Sequence, residues 1–400
     1  MTTANCRSPL TIIRIQYFLY FGVLGIYLPY FNLYCYHLDF SGTQIGALAA
    51  VRSLLLVVFA LVWSALADRY RMRRQIYLTC LLLSTLAWGL YLLTPDFWPM
   101  LWITVLYGIF YAPIIAFLEA FTMDALGFDK AQYGRIRVWG SISFILIVIS
   151  LGALIDRFAV RLILYLILGG FVLQTFGALR MPRLLRVSHP SFAPVFPKPS
   201  RGRILLFLIC GFLMLASHGA YYGFFSIHLE TLGYSTLFIG VCWALASTAE
   251  ILVMLNSERI FRRFSLERVL LLAFMVAAVR WLVLYWVETP ALVLLSQTLH
   301  AFTYGGFHMA SILYIDRMMP PQGKTLGQAA NNAAQYGLGL MVGFFLNGYL
   351  YERIGSGALF AVSALIALIG GVLFGVQNWT AGRSVQQGLG SATGPDAAKK

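Results

Sequence analysis

The sequence predicts an all-α membrane protein, with twelve transmembrane helices in two halves of six. Three observations predict it. The 400 residues are 60% hydrophobic and 11% charged, against about 25% charged in a soluble domain, and the mean hydropathy is +0.78. Such a chain cannot cover its apolar surface with polar side chains in water. Its apolar residues fall into long runs, and about 20 of them in helix cross a bilayer core. The basic residues are unevenly placed. With the N-terminus in the cytoplasm, 24 Lys and Arg fall in cytoplasmic segments, three outside (Arg157, Arg161, Arg353), and Arg52 and Arg280 within helices. That is the positive-inside pattern, and it puts both termini in the cytoplasm. It also explains the net charge of +14 without a nucleic-acid partner, since this charge sets topology and faces anionic lipid.

The segments follow in order. The first, 11–37, follows Arg7 and Arg14 and is too long and too aromatic for a signal peptide, with no small-residue cleavage site after it, so it is expected to stay. The next five apolar runs are 42–66, 75–94, 98–123, 136–156 and 160–180. The stretch 181–203, "MPRLLRVSHPSFAPVFPKPSRGR", is rich in proline and basic residues and reads as a cytoplasmic linker between the halves 1–180 and 204–379. The second half runs 204–229, 235–256, 267–287, 290–316, 326–351 and 356–379. From 380 the chain is Gly/Ser/Ala-rich and expected to be a disordered tail. Cysteines 6, 35, 80, 210 and 242 show no metal or pairing spacing and read as small apolar packing residues.

The halves repeat weakly. Asp68, Arg69 and Arg73 recur as Glu258, Arg259 and Arg263, each 190 positions later, and Ile45-Gly46 recurs as Ile239-Gly240, 194 later. Two six-helix halves in parallel repeat are a transporter pattern, with substrate bound near the midplane between them. The loop after the second segment reads Ser64-x3-Asp68-Arg69-x-Arg71-x-Arg73-Arg74. It resembles the loop signature of the major facilitator superfamily, G-x3-D-[RK]-x-G-x-[RK]-[RK]. Ser64 and Arg71 stand where that signature has glycine. The resemblance implies the major facilitator fold, in which the acid and its basic partners hold the halves in the outward-closed arrangement. Without it, the loop reads as an ordinary positive-inside connection.

Away from the helix ends, the ionisable residues in the apolar runs are Arg52, Glu119, His218, Glu250, Arg280, His300 and His308. A charge at the bilayer centre costs about 2.5–3.5 kcal/mol on insertion scales, so each is a candidate functional group. At 1.5 Å rise per residue, Glu250, Arg280 and His300 lie roughly 12, 18 and 15 Å deep, in one middle layer, where acid, guanidinium and imidazole can satisfy one another. Glu119 and Arg137 share a depth of roughly 10–12 Å in the first half. His218 and His308 read equally well as hydrogen-bonded packing residues. Arg52 is a substrate candidate that could instead be structural. Tyr221 and Tyr222 lead an aromatic run that could line the site or pack within a half.

The stretches "EAF", "YGRIRVWG", "AEILVMLNSERIFRRFSLERVLLLAFMVAAVRW" and "LSQTLHAF" resemble the lactose permease group of proton symporters. "FGVLGIYLPYF" and "SHGAYYGFFSI" bring the chain nearer to bacterial phenylpropionate permeases. The resemblance runs to about residue 379 and implies a bacterial inner (plasma) membrane protein, a monomer, with the proton as coupling ion and no other cofactor. It implies that Glu119, Arg137 and Glu250 bind substrate, that Arg280 and His300 couple the proton, and that Phe144 stands where the permease stacks a tryptophan on its sugar. Two features depart from the pattern. Thr303 replaces the proton-carrying glutamate, and Gln297 replaces a lysine whose aspartate partners are also absent. The proton role then falls to Glu250, Glu119 or His300.

H-E-x-x-H and G-x-S-x-G are absent, as is a phosphate loop. The expected function is therefore secondary active transport rather than an enzyme activity. The favoured version is proton-coupled symport of a small organic substrate such as an aromatic carboxylic acid, 3-phenylpropionate-like, by alternating access. A sugar or nucleoside symporter is the alternative, and a channel or membrane sensor the alternative of another class.

Overall fold

The computed structural model describes residues 7–127, 132–182, 201–320 and 323–392; most of the expected linker, 183–200, lies outside them. The described residues hold no strand. The helices are α1 (Arg7–Tyr36), α2 (Gly42–Tyr70), α3 (Arg73–Gly89), α4 (Phe97–Tyr111), α5 (Ile114–Leu126), α6 (Tyr133–Ile155) and α7 (Leu162–Ala178) in the first half. The second half contains α8 (Arg201–Ser217), α9 (Gly219–Thr231), α10 (Thr236–Leu255), α11 (Ser257–Arg263), α12 (Leu266–Trp286), α13 (Pro290–Thr298), α14 (Phe307–Met318), α15 (Lys324–Asn332) and α16 (Leu340–Ala392). Nine helical runs among the described residues are long and apolar enough to cross a membrane. The last of these is two rods, broken at Gly355 with φ 77°. The shorter apolar helix α7 and the interrupted rod 290–318 lie outside these nine runs. One boundary differs: the final helix runs to Ala392, past the 379 at which the sequence predicts disorder.

Several rods are discontinuous where hydropathy shows unbroken runs. Pro113, which lacks an N–H, separates α4 from α5. His218 divides α8 from α9. Wider π-turns occupy Ala301–Gly306 and Ala333–Gly339. Irregular backbone is tolerated at membrane depth only where protein buries it or it lines a cavity. The three breaks in the second half surround one polar cluster, described below.

The weak repeat has a structural cause. Ser41 caps α2, accepting from the Gln44 N–H at 3.2 Å, and Ser235 caps α10, accepting from the Phe238 N–H at 3.2 Å. These serines stand at the same offset as Ile45-Gly46 and Ile239-Gly240. One turn inside each cap, the glycine admits the backbone of the opposite half. A Cβ on Gly46 would lie 2.6 Å from the Phe344 carbonyl oxygen, and one on Gly240 2.5 Å from that of Val148. α2 thus packs on the first rod of α16, and α10 on α6, at backbone distance.

Polar contacts between the halves cluster at the end away from the chain termini. The Tyr30 hydroxyl donates to the Thr236 carbonyl at 3.4 Å, and the Gly42 N–H donates to Glu352 at 3.0 Å. His37 pairs with Glu230 at 2.7 Å. Asp156, just past α6, caps α10 of the other half by accepting from the Thr236 N–H (2.8 Å), the Thr236 hydroxyl (2.6 Å) and the Leu237 N–H (3.1 Å). Partial burial opposes its ionisation, but these bonds from Thr236 and Leu237 outweigh it and hold its pKa below the usual value. A depressed carboxylate contributes stability above its unfolded pKa and loses it as pH falls through the folded one. This cap therefore stays formed at neutral pH and weakens only in strong acid.

In the signature loop, Arg73 bonds Asp124 at 2.6 Å and approaches Asp68 at 3.9 Å, tying α3 to α5 and α2. Arg69 lies against the Tyr70 ring at 5.7 Å. Arg71, where the signature has glycine, adopts φ 54°, ψ 34° as the cap of α2. That left-handed conformation costs an L-residue roughly 1–2 kcal/mol. Arg71→Gly, which removes that cost, is therefore expected to raise Tm or leave it unchanged, whereas the β-branched Arg71→Val fits this conformation worse than arginine and lowers it. Thermal unfolding in detergent checks both.

Candidate functional site

The cluster is built around Arg280 on α12, which is completely buried. Its Nε donates to the Ser296 carbonyl at 3.1 Å, Nη2 to Gln297 Oε1 at 3.0 Å, and Nη1 to His300 Nδ1 at 2.9 Å and to Thr303 Oγ1 at 3.3 Å. Its guanidinium lies 4.2 Å over the Tyr221 ring, and the Tyr221 hydroxyl donates to Gln297 at 3.1 Å. The two departures from the permease pattern, Gln297 and Thr303, are thus both neutral acceptors in the shell of Arg280. They satisfy its donors without cancelling its charge.

The histidine state follows from this geometry. A guanidinium only donates, so His300 Nδ1 accepts, the ring is neutral and its proton sits on Nε2. That atom lies 3.9 Å from Glu250 Oε2. Glu250, on α10, is partly accessible, with its side chain 22% exposed. Gly305, in the π-turn of the α13–α14 rod, makes room for it, since a Cβ there would stand 3.2 Å from Glu250 Cγ. The expected middle layer of Arg280, His300 and Glu250 is therefore a contiguous chain, with His300 between the other two.

Two histidines extend the aromatic wall. His218 Nδ1 donates to the Met214 carbonyl at 2.8 Å, and its Nε2 is buried without a partner among the described residues. Tyr304 stacks between His300 (5.2 Å) and His308 (6.0 Å), and His308 Nδ1 is 2.7 Å from the Tyr336 hydroxyl. Sequence reading passed over Tyr304 and Tyr336, although 300, 304 and 308 repeat every four residues, the spacing of one helix face. Tyr336 lies in the second π-turn, whose carbonyl at Tyr336 accepts from Ser53 of the first half at 2.7 Å.

Glu119 and Arg137 form no ion pair or hydrogen bond with each other; the Arg137 guanidinium lies 3.7 Å over the Phe21 ring instead. Glu119 is exposed. Phe144 is 8% exposed, and its backbone meets α1 at Gly25, so it packs the α1–α6 contact rather than offering a free stacking face. Tyr221 is fully buried as the platform for Arg280, whereas Tyr222 is half-buried beside His300 and Tyr304. The four cysteines among the described side chains, Cys35, Cys80, Cys210 and Cys242, are buried and unpaired.

The comparison with known proteins identifies the family. The model of the MFS_1 like family matches residues 10–362. The chain belongs to the MFS_1 like family. This MFS_1 like chain is 27% identical over 365 residues to the "Probable 3-phenylpropionic acid transporter" of Escherichia coli (strain K12), covering 89% of this chain and 94% of that protein. It is 26% identical over 369 residues to the "Maltose permease" of Geobacillus stearothermophilus, covering 90% and 92%. Its fold matches the crystal structure of the nucleoside transporter NupG with TM-score 0.80 and 16% identity, over 92% of this chain and 98% of that one. The MFS_1 like chain is thus a multi-pass membrane transporter of a small molecule, not an enzyme.

Proposed function

We propose that this transporter couples the inward movement of a proton to that of a small organic acid, in a bacterial plasma membrane with both termini cytoplasmic. The observation that carries the reading is the Arg280–His300–Glu250 chain. Arg280 holds His300 neutral, so Glu250 is the acid there that can load and release a proton. The name of the E. coli relative supports an aromatic carboxylate as the co-substrate. Glu119 and Arg137, with the maltose permease among the relatives, favour the second reading, a sugar bound through its hydroxyls. With this topology the described contacts close the periplasmic end, and the molecule faces inward.

Uptake of labelled 3-phenylpropionate and maltose into energised cells separates the two readings. The expected result is accumulation of the acid that a protonophore abolishes. Accumulation of maltose alone supports the sugar reading, and accumulation that survives the protonophore contradicts proton coupling.

A further inference from the structure

Arg52 is a cation in the membrane interior that this bundle leaves without an anion. It lies on α2, next to Ser53, which reaches across to the other half. Its Cζ is 4.0 Å from the Tyr27 ring centroid and 5.8 Å from that of Tyr111, and its Nε is buried with no hydrogen-bond partner among the described residues. Tyr20 and Tyr107 complete the ring of phenols, and all four tyrosines are less than 9% exposed. Several other basic groups have carboxylate partners: Arg73 has Asp124, Arg317 has Glu267 and Lys324 has Asp316. Arg280 has four neutral acceptors. No ion pair reaches Arg52 among the described residues. Ring faces compensate a cation only partly.

We propose that Arg52 and these tyrosines form the subsite that takes the carboxylate of the transported acid. The proposal rests on the acid reading of the function and names the group that recognises the acid. A carboxylate matches the guanidinium fork with two parallel hydrogen bonds, and phenol hydroxyls donate to its remaining lone pairs. The subsite is continuous with the rest of the site. Tyr20 stacks on Tyr111 at 5.5 Å and meets Phe21 edge-on at 5.0 Å, and Phe21 carries Arg137. An acid with its carboxylate at Arg52 would lay its apolar body along these rings toward Glu250. Anion and proton would then neutralise Arg52 and Glu250 separately, and one acid with one proton would cross without net charge.

The test is equilibrium binding to the purified full-length transporter in detergent. The probes are formate, benzoate and 3-phenylpropionate, each against its neutral amide. Wild type is expected to bind 3-phenylpropionate at least tenfold tighter than 3-phenylpropionamide. Arg52→Gln should lose that preference, weakening the acid at least tenfold and the amide less than threefold, while Arg52→Lys restores part of it. The acid-to-amide ratio does not move if Arg52 is merely structural, and a loss of fold would weaken both ligands alike. A ratio unchanged in Arg52→Gln overturns the proposal, as does a wild type that binds no carboxylate of the series or binds amides equally well. An Arg52-dependent ratio in a carrier whose uptake ignores protonophores leaves the subsite standing and removes the proton coupling.

Discussion

Replacing Glu250 with glutamine is expected to leave a carrier that exchanges substrate across the membrane and no longer accumulates it. The site must close and dry during the cycle, and desolvation penalises a charged carboxylate far more than a neutral one. Glutamine keeps the shape and the hydrogen-bonding capacity of the protonated acid, so it mimics the loaded state permanently. Exchange needs only that state. Uphill accumulation needs the proton to leave on the far side, which an amide cannot do. The expected effect is loss of protonophore-sensitive accumulation to background, with counterflow within about threefold of wild type. Glu250→Ala should lose both, because it also removes the group facing His300 Nε2. Transport assays in proteoliposomes with an imposed pH gradient check all three proteins.

A leucine at Gly46 is expected to be nearly as damaging, by a different route. The Gly46 Cβ position lies 2.6 Å from the Phe344 carbonyl oxygen and 2.9 Å from Gly348 Cα, both backbone atoms that cannot rotate away. Overpacking costs typically 1–3 kcal/mol, and each 1.4 kcal/mol is tenfold in an equilibrium constant. The closed far end should therefore lose about ten- to a hundredfold in population, and net uptake with it. A cysteine at Thr236, which is 8% exposed at the other cross-half seam, reports the change in an otherwise cysteine-free protein. Its labelling by a membrane-impermeant maleimide should rise in Gly46→Leu. Unchanged labelling with normal uptake would show that the glycine seam does not gate the far end.

The fold was legible because the bilayer demands long apolar runs and uneven basic charge, and both are written in composition. The shared depth of Glu250, Arg280 and His300 was legible too, since helix rise converts spacing into depth. What spacing could not give is which partner a long side chain chooses. Arg137 has Glu119 at its own depth yet lies on Phe21, an α1 residue with no sequence relation to it. The helix breaks were equally hidden. "AFTYGG" and "AAQYGLG" carry no proline, and the contacts made at these turns, Glu250 over Gly305 and Ser53 on the Tyr336 carbonyl, join segments far apart in sequence. The repeat of Ile45-Gly46 as Ile239-Gly240 was visible but unexplained until the opposing backbones lay against both glycines.

The central claim is that Glu250, not His300, carries the coupled proton. Proton uptake by the purified transporter on adding 3-phenylpropionate, followed with a pH indicator in weakly buffered detergent, tests it most directly. Wild type should take up protons with substrate, His300→Gln should still do so with a shifted pH dependence, and Glu250→Gln should take up none. Uptake that persists in Glu250→Gln and vanishes in His300→Gln would contradict the account and make the imidazole the carrier.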